Sequence, residues 1–285
     1  MSHSSTTQKV TTEQLIEQWL HGHADNTIKT YQQYLGRFLA HVDKPIDEVT
    51  LFDLQTWQLS LRNLSPASQG TALAVIKSLF SFGFQLGVLP LNVAKLVKSP
   101  PSKDCLAQKI LCSPQVQTMI ELEKNTRNRA ILFMLYGCGL RVSELCDLKW
   151  QDVKPRDHGG QVTVFGKGGK TRVVLIPPPV WNVVGRLKGD YGGNDPVFRS
   201  RQKGLNGYHV SRKQVWRIVR KAAERAGIDD QVSPHWLRYS HASHSLDKGA
   251  PLSLVKETLG HSSIAITEKY LHAKPDDSSG MYLFD

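Results

Sequence analysis

Cysteine is scarce in this 285-residue sequence: Cys105, Cys112, Cys138 and Cys146 are the four present, and no two form a C-x-x-C pair. That spacing excludes a zinc ribbon and a disulfide framework. No apolar run approaches the length of roughly 20 residues needed to cross a bilayer. The opening "MSHSSTTQKV" lacks the charged-then-apolar pattern of a secretory signal. The expected location is therefore the cytoplasm, without a membrane partner. Nucleotide and metal signatures are missing as well. "GKGGKT" (166–171) has neither the leading glycine spacing nor the following helix of a phosphate loop. H-E-x-x-H is absent, and no dense carboxylate cluster offers a two-metal nuclease site. His235, His241 and His244 lie close in sequence, but no carboxylate or thiolate stands at matching ligand spacing. Neither a metal nor a cofactor is expected.

What the chain does have is positive charge, unevenly placed. The formal net charge is +11. Residues 1–98 hold 8 Lys/Arg against 7 Asp/Glu, whereas residues 99–285 hold 28 against 18. Much of the excess lies in "RSRQKGLNGYHVSRKQVWRIVRK" (199–221), with eight basic residues and no acidic one. Nucleic acid is the usual partner of such a patch, although a solvated basic face is an equal reading of composition alone. The hydrophobic fraction of 40% and charged fraction of 21% describe an ordinary globular chain, long enough for two domains.

Periodicity divides the chain. The first ten residues are polar and expected to be disordered. From Thr12 the pattern is helical: Leu15, Ile16, Trp19 and Leu20 form one stripe, and Ile28, Tyr31, Leu35, Phe38 and Leu39 another. Thr50 and Asp53 have capping-box spacing, and Ser65-Pro66 marks a helix start whose end falls near Gly87. "KSPPSKDC" (98–105) reads as a linker. Beyond it, "SPQVQTMIELEKN" and "RNRAILFMLYG" are helical, and "GQVTVFGKGGKTRVVLIP" predicts a β-hairpin. A helix over 211–226 buries Val215, Ile218, Val219 and Ala222. Its other surface carries Arg212, Lys213, Arg217 and Arg220, placed to lie along DNA. Ser233 caps the next helix and Gly249 closes it, and short helices follow over 252–259 and 262–273.

The residues with chemistry to offer are Arg141, Lys167, His235, Arg238 and His261, together with several tyrosines. Two guanidiniums can hold the non-bridging oxygens of a phosphodiester and stabilise the charge of a pentacoordinate transition state. A histidine can take a nucleophile's proton, and a lysine can protonate the leaving oxygen. Singly, each has a structural explanation: Arg141 would serve equally as a carboxylate partner, and Lys167 as an exposed turn residue. Helical spacing sets Tyr239 one turn from His235 in "PHWLRYSHASH" (234–244). Spacing alone therefore leaves open which tyrosine reacts.

Four stretches in order, "GCGLRVSELCDLKWQDV" (137–153), "VFGKGGKTRVVLIP" (164–177), "SPHWLRYSHASHSLDKGAPL" (233–252) and "LGHSSIAITEKYLHA" (259–273), closely resemble the catalytic domain of tyrosine recombinases. This is the phage-integrase family, and the compact Xer-type members are most alike. "NTIKTYQQYLGRFL" and "IKSLFSFGFQLGVLPLNVAKLV" resemble its core-binding domain. The resemblance implies an α+β fold class: an N-terminal all-helical, SAM-like core-binding domain and a mainly helical catalytic domain with a small antiparallel β-hairpin or sheet. The implied organisation is a disordered start (1–11), the core-binding domain (12–98), a linker (99–109), the catalytic domain (110–274) and a tail (275–285), for which docking on a neighbouring protomer and a frayed or self-packed terminus are equal readings.

The same resemblance makes Arg141 and Arg238 the phosphate-binding arginines, with His235 and His261 beside them. It makes Lys167 the general acid, with Lys170 as its fallback, and Tyr270 the nucleophile. Glu144 takes a supporting place. Tyr239 stands where histidine is common, and Asn92-Val93 replaces a frequent Asn-Pro. The implied activity is site-specific recombination of double-stranded DNA through a 3′-phosphotyrosine and a Holliday junction, without metal or ATP. The implied assembly is a homo-tetramer on two sites, or a hetero-complex with a paralogue. Resolution of chromosome or plasmid multimers is favoured over a mobile-element integrase, because only about ten residues precede the first helix, too few for an arm-binding domain. A type IB topoisomerase and a catalytically silent DNA-binding protein are the remaining alternatives.

Overall fold

The computed structural model describes residues 10–101, 106–166, 169, 171–204, 207–228 and 231–271. The expected disorder of the start, Lys167, Lys170 and the tail 275–285 thus fall wholly or almost wholly outside the described residues. Contacts divide the chain into two compact units, Met1–Lys103 and Asp104–Asp285.

The described part of the first unit is helical. α1 (Thr12–Leu20) starts at a capping box, in which the Thr11 hydroxyl accepts from the Gln14 amide and the Gln14 carboxamide accepts from the Thr11 amide. α2 (Asp25–Val42) follows, and α3 (Leu51–Ser60) repeats the device with Thr50 and Asp53. α4 (Pro66–Gln85) has Ser65 as its N-cap and ends just before Gly87. The stripes read from sequence, Ile28 excepted, meet in one core built on Leu15, Trp19, Leu35, Phe38, Trp57 and Phe80. The Phe38 ring meets Trp57 and Phe80 edge-on, with centroids at 5.0 and 6.2 Å. Such pairs add about 0.5–1.5 kcal/mol each beyond burial. Asn92, at the variant Asn-Val step, caps a 3-10 turn by accepting from the Lys95 amide and ties it to Ser81.

The second unit opens with α5 (Ser113–Glu121), α6 (Thr126–Gly137) and α7 (Val142–Asp147). A sheet follows: β1 (Val153–Arg156), β2 (Gly159–Phe165) and β3 (Thr171–Ile176), antiparallel in the order β1-β2-β3. Register pairs Val162 with Val153 on one side and Val174 on the other. The expected hairpin is therefore part of a three-stranded sheet. β1, "VKPR", has no apolar alternation and carries a proline, which an edge strand tolerates. After α8 (Pro178–Gly185), β4 (Arg199–Gly204) and β5 (Gly207–His209) form a two-stranded ribbon within the basic stretch, where no strand was expected. α9 (Arg212–Arg225), α10 (Pro234–Asp247), α11 (Leu252–Leu259) and α12 (Ile264–Glu268) complete the unit.

Two local expectations are corrected. Ser233 occupies the N-cap position of α10 but makes no side-chain cap bond. The last helix spans five residues, not 262–273. β-branched Ile264, Ile266 and Thr267 weaken it, and the chain tightens into i→i+3 bonds from the Tyr270 amide to Thr267 and from the Leu271 amide to Glu268. α6 lies at the centre of the core, with Ala130, Ile131, Leu132, Met134 and Leu135 all inaccessible, and packs on α8 and α10.

Candidate active site

A cavity of about 1050 Å³ in the second unit is lined by Arg141, His235, Arg238, Tyr239, His261 and Tyr270, among others. These residues arrive from separate stretches. Arg141 is the N-cap of α7, where its amide donates to the carboxylate of Glu144, the third helical residue, at 2.8 Å. His235, Arg238 and Tyr239 lie on the first turns of α10. His261 follows α11, and Tyr270 follows α12.

The end of α11 organises the cations. A helix leaves its last carbonyls without intrahelical partners, and here three in succession are each taken by a different arginine. Arg172 Nε donates to Thr258 O at 2.7 Å, Arg238 Nη2 to Leu259 O at 2.5 Å, and Arg141 Nη2 to Gly260 O at 3.0 Å. Arg238 Nη1 also donates to the carbonyl of Gly139. Glycine is required at both turns. Gly139 has φ of 59°, and a Cβ there would lie 2.7 Å from the His241 ring. Gly260 has φ of 62°, and a Cβ would lie 3.0 Å from the Arg172 guanidinium.

Buried charge dominates the electrostatics. Arg238 is only 3% exposed. Burial, then the charge of Arg141, pushes its pKa down to about 9, so it stays cationic at neutral pH. Glu144, also buried, accepts from Arg141 Nη1 at 2.8 Å and from both Nη atoms of Arg172 at 2.8 and 2.9 Å. Burial acts to raise its pKa, but the bonds from Arg172 and Arg141 outweigh that and hold it below the usual carboxylate range. Burial, followed by the charges of Arg238 and Arg141, lowers His261 to about 4. His261 Nδ1 lies 2.9 Å from the hydroxyl of buried Thr267. His235 is open to solvent at the cavity mouth, yet the surrounding walls and the same two arginines lower its pKa as well. Tyr270 is 5% exposed, and burial raises its phenol to about 12. Its ring is nearly parallel to that of His261, with centroids 6.2 Å apart.

Five of the six residues expected to react are thus gathered in one cavity, and Lys167 lies outside the described residues. Tyr239 stands between His235 and Tyr270, its ring centroid 6.0 Å from each. None of Arg212, Lys213, Arg217 and Arg220 lines the cavity. The first three are exposed on α9, while Arg220 pairs with Glu224 at 3.2 Å and lies over Trp216. His241 and His244 turn away. His241 Nδ1 donates to the Tyr136 carbonyl at 2.6 Å, and His244 Nδ1 lies 2.9 Å from the Tyr136 hydroxyl. Among the described residues, no three His, Cys, Asp or Glu side chains are grouped to hold a metal, and no helix is long and apolar enough to cross a membrane.

Sequence reasoning missed Arg172. Its signal was a cation on the inward register of β3, in line with buried Val174 and Ile176.

The phage integrase family matches residues 109–276, and the N-terminal SAM-like domain of phage integrases matches residues 13–85. The chain belongs to the phage integrase family. Tyrosine recombinase XerA of Pyrococcus furiosus is 33% identical over 254 residues, covering 88% of this chain and 85% of its own. A crystal structure of XerA recombinase is 26% identical, with a TM-score of 0.54, covering 95% of this chain and 97% of that one. The same fold occurs in the XerH site-specific recombinase bound to its difH substrate, at 18% identity and a TM-score of 0.70 over 95% of this chain and 83% of that one. The protein is thus an enzyme of the tyrosine recombinase class, similar to the Xer recombinases.

Proposed function

We propose that the cavity cuts and rejoins duplex DNA at specific sites, with Tyr270 as nucleophile. The observation that supports this is the convergence of Arg141, Arg238, His235, His261 and Tyr270 in one cavity. Arg141 and Arg238 hold the non-bridging oxygens of the scissile phosphate. Each guanidinium fork carries five N–H donors; the carbonyl and carboxylate bonds use part of the set, and the others remain for phosphate. The Tyr270 phenol, at about 12, needs its proton removed as it attacks. His235 and His261 are neutral at pH 7 and can receive it. Burial first, and then the arginine charges, depress both histidines, and an arriving phosphate offsets the second of these. Lys167, with Lys170 as its fallback, protonates the leaving 5′-oxygen.

The product is a 3′-phosphotyrosine and a free 5′-hydroxyl. Attack by a partner strand's 5′-hydroxyl reverses the linkage, and two rounds pass through a Holliday junction. The phosphotyrosine conserves the bond energy, so the chemistry calls on neither ATP nor a metal. The working assembly is four protomers on two sites in the cytoplasm, as a homo-tetramer or with a paralogue, and resolution of chromosome or plasmid multimers is the favoured purpose. Arg212, Lys213, Arg217 and Arg220 contact the DNA along α9, and the tail 275–285 docks on a neighbouring protomer.

The test is a nicked suicide duplex incubated with EDTA. A covalent protein–DNA adduct is expected, lost in Tyr270→Phe and retained in Tyr239→Phe. An adduct that survives Tyr270→Phe, or one that forms only with added divalent metal, sinks the reading.

A further inference from the structure

We propose that Arg172, which the resemblance assigns no part, is a positioning residue for the recombination reaction, fixing Arg141 through Glu144 and His261 through the end of α11. The inference rests on the active-site reading above. Arg172 projects from the inward face of β3, and its side chain is only 13% exposed. Two of its nitrogens grip the Glu144 carboxylate as a fork, at 2.8 and 2.9 Å, and the third grips Thr258 O at 2.7 Å. Both anchors lead directly to reacting groups. The same carboxylate receives the amide and Nη1 of Arg141, each at 2.8 Å. Thr258 lies three residues before His261, and the intervening Gly260 packs so closely that a Cβ would meet Arg172 atoms at 3.0–3.2 Å.

Stability does not account for a cation here. Its strand neighbours on this face, Val174 and Ile176, are buried apolar residues, and well-packed apolar groups generally match or exceed a buried ion pair in stability. Geometry does account for it. A planar fork can hold a carboxylate in both directions while Nε points along a third, and a lysine offers a point charge without that directionality. Arg172 thereby sets the distance between the turn that carries His261 and the helix start that carries Arg141. It follows Lys167 and Lys170 closely in sequence, but its bonds run to Glu144 and Thr258.

The test uses the full chain on the nicked suicide duplex at saturating DNA, with Arg172→Met, Arg172→Lys, Glu144→Gln and the double variant Arg172→Met/Glu144→Gln. For Arg172→Met, the adduct rate is expected to fall about 100-fold, the scale of a misplacement of about 1 Å, with DNA affinity within about threefold of the parent. Arg172→Lys keeps the stem and the charge but not the fork, and is expected to remain at least about tenfold slow. The double variant is expected to be no more than about threefold slower than Arg172→Met, because the two act as one unit. A 5′-bridging sulfur substrate, whose leaving thiolate needs no proton, is expected not to restore the rate. Parent-like rates in Arg172→Lys, fully multiplicative losses in the double variant, or rescue by the sulfur substrate would each overturn the proposal. Arg172→Lys decides the matter if Arg172→Met does not fold. Tyr270→Phe on the same duplex separates the two readings: a surviving adduct there defeats the active-site reading, whereas its loss beside a parent-like Arg172→Lys defeats only this one.

Discussion

The two units solve the problem of charge in opposite ways. In the first, the core is apolar and the ionic groups stay at the surface, as in the Thr50–Asp53 cap with Lys44 2.7 Å away. In the second, Glu144 and Arg238 are buried beside Arg172 and tied to one another or to main-chain carbonyls. Among the described residues, buried charges occur in the second unit alone: Glu144 and Arg238 beside the cavity, and Glu123, paired with Arg225, away from it. The difference locates the chemistry more sharply than net charge does, since the basic stretch 199–221 extends onto exposed α9, outside the cavity.

The contrast can be broken at several points. Phe38→Ala should cost about 3–5 kcal/mol through a cavity in the first core, read as a lowered denaturation midpoint. Glu144→Leu should cost about 3 kcal/mol by leaving buried cations without their partner. A smaller loss in calorimetry would mean that Arg172 and Arg141 relax to solvent. Acid should separate the units. His241 and His261 fall from an ordinary 6.5 to about 4 in the folded chain, so between those values the unfolded state binds more protons and stability falls with pH. Asp53 is held at about 2 by its bond to Lys44 and then by Thr50, against an ordinary 3.8, so its contribution is lost only between those values. Hydrogen exchange corrected for intrinsic rates should show the second unit losing protection between pH 6.5 and 4 while the first retains it. Simultaneous loss would remove the distinction. The smallest effect is expected of Thr50→Ala, about 1 kcal/mol from the lost cap, seen as a small shift in thermal midpoint.

Legibility in the sequence followed the same division. The first unit was readable because its helices carry apolar stripes and local caps, signals contained within a few residues. In the second unit, β1 and the β4–β5 ribbon escaped because "VKPR" and the charged "RSRQKG" have no alternating apolar pattern. α12 was read too long because its apolar spacing continues past the point where the turn tightens. Resemblance supplied Tyr270, which helical spacing could not separate from Tyr239, and the structure places the two rings 6.0 Å apart. Arg172 was hidden for a different reason. Its partners Glu144 and Thr258 are 28 and 86 residues distant, and no local pattern encodes them.

The three carbonyls at the end of α11 have a metrological consequence. Successive Cα atoms across trans peptides are held about 3.8 Å apart by covalent geometry. Arg172, Arg238 and Arg141 register on Thr258, Leu259 and Gly260 in turn, so the spacing of three mutually repelling cations is referenced to a covalent length instead of to the packing of loose side chains. A displacement of that turn therefore moves the anchors of all three guanidiniums together.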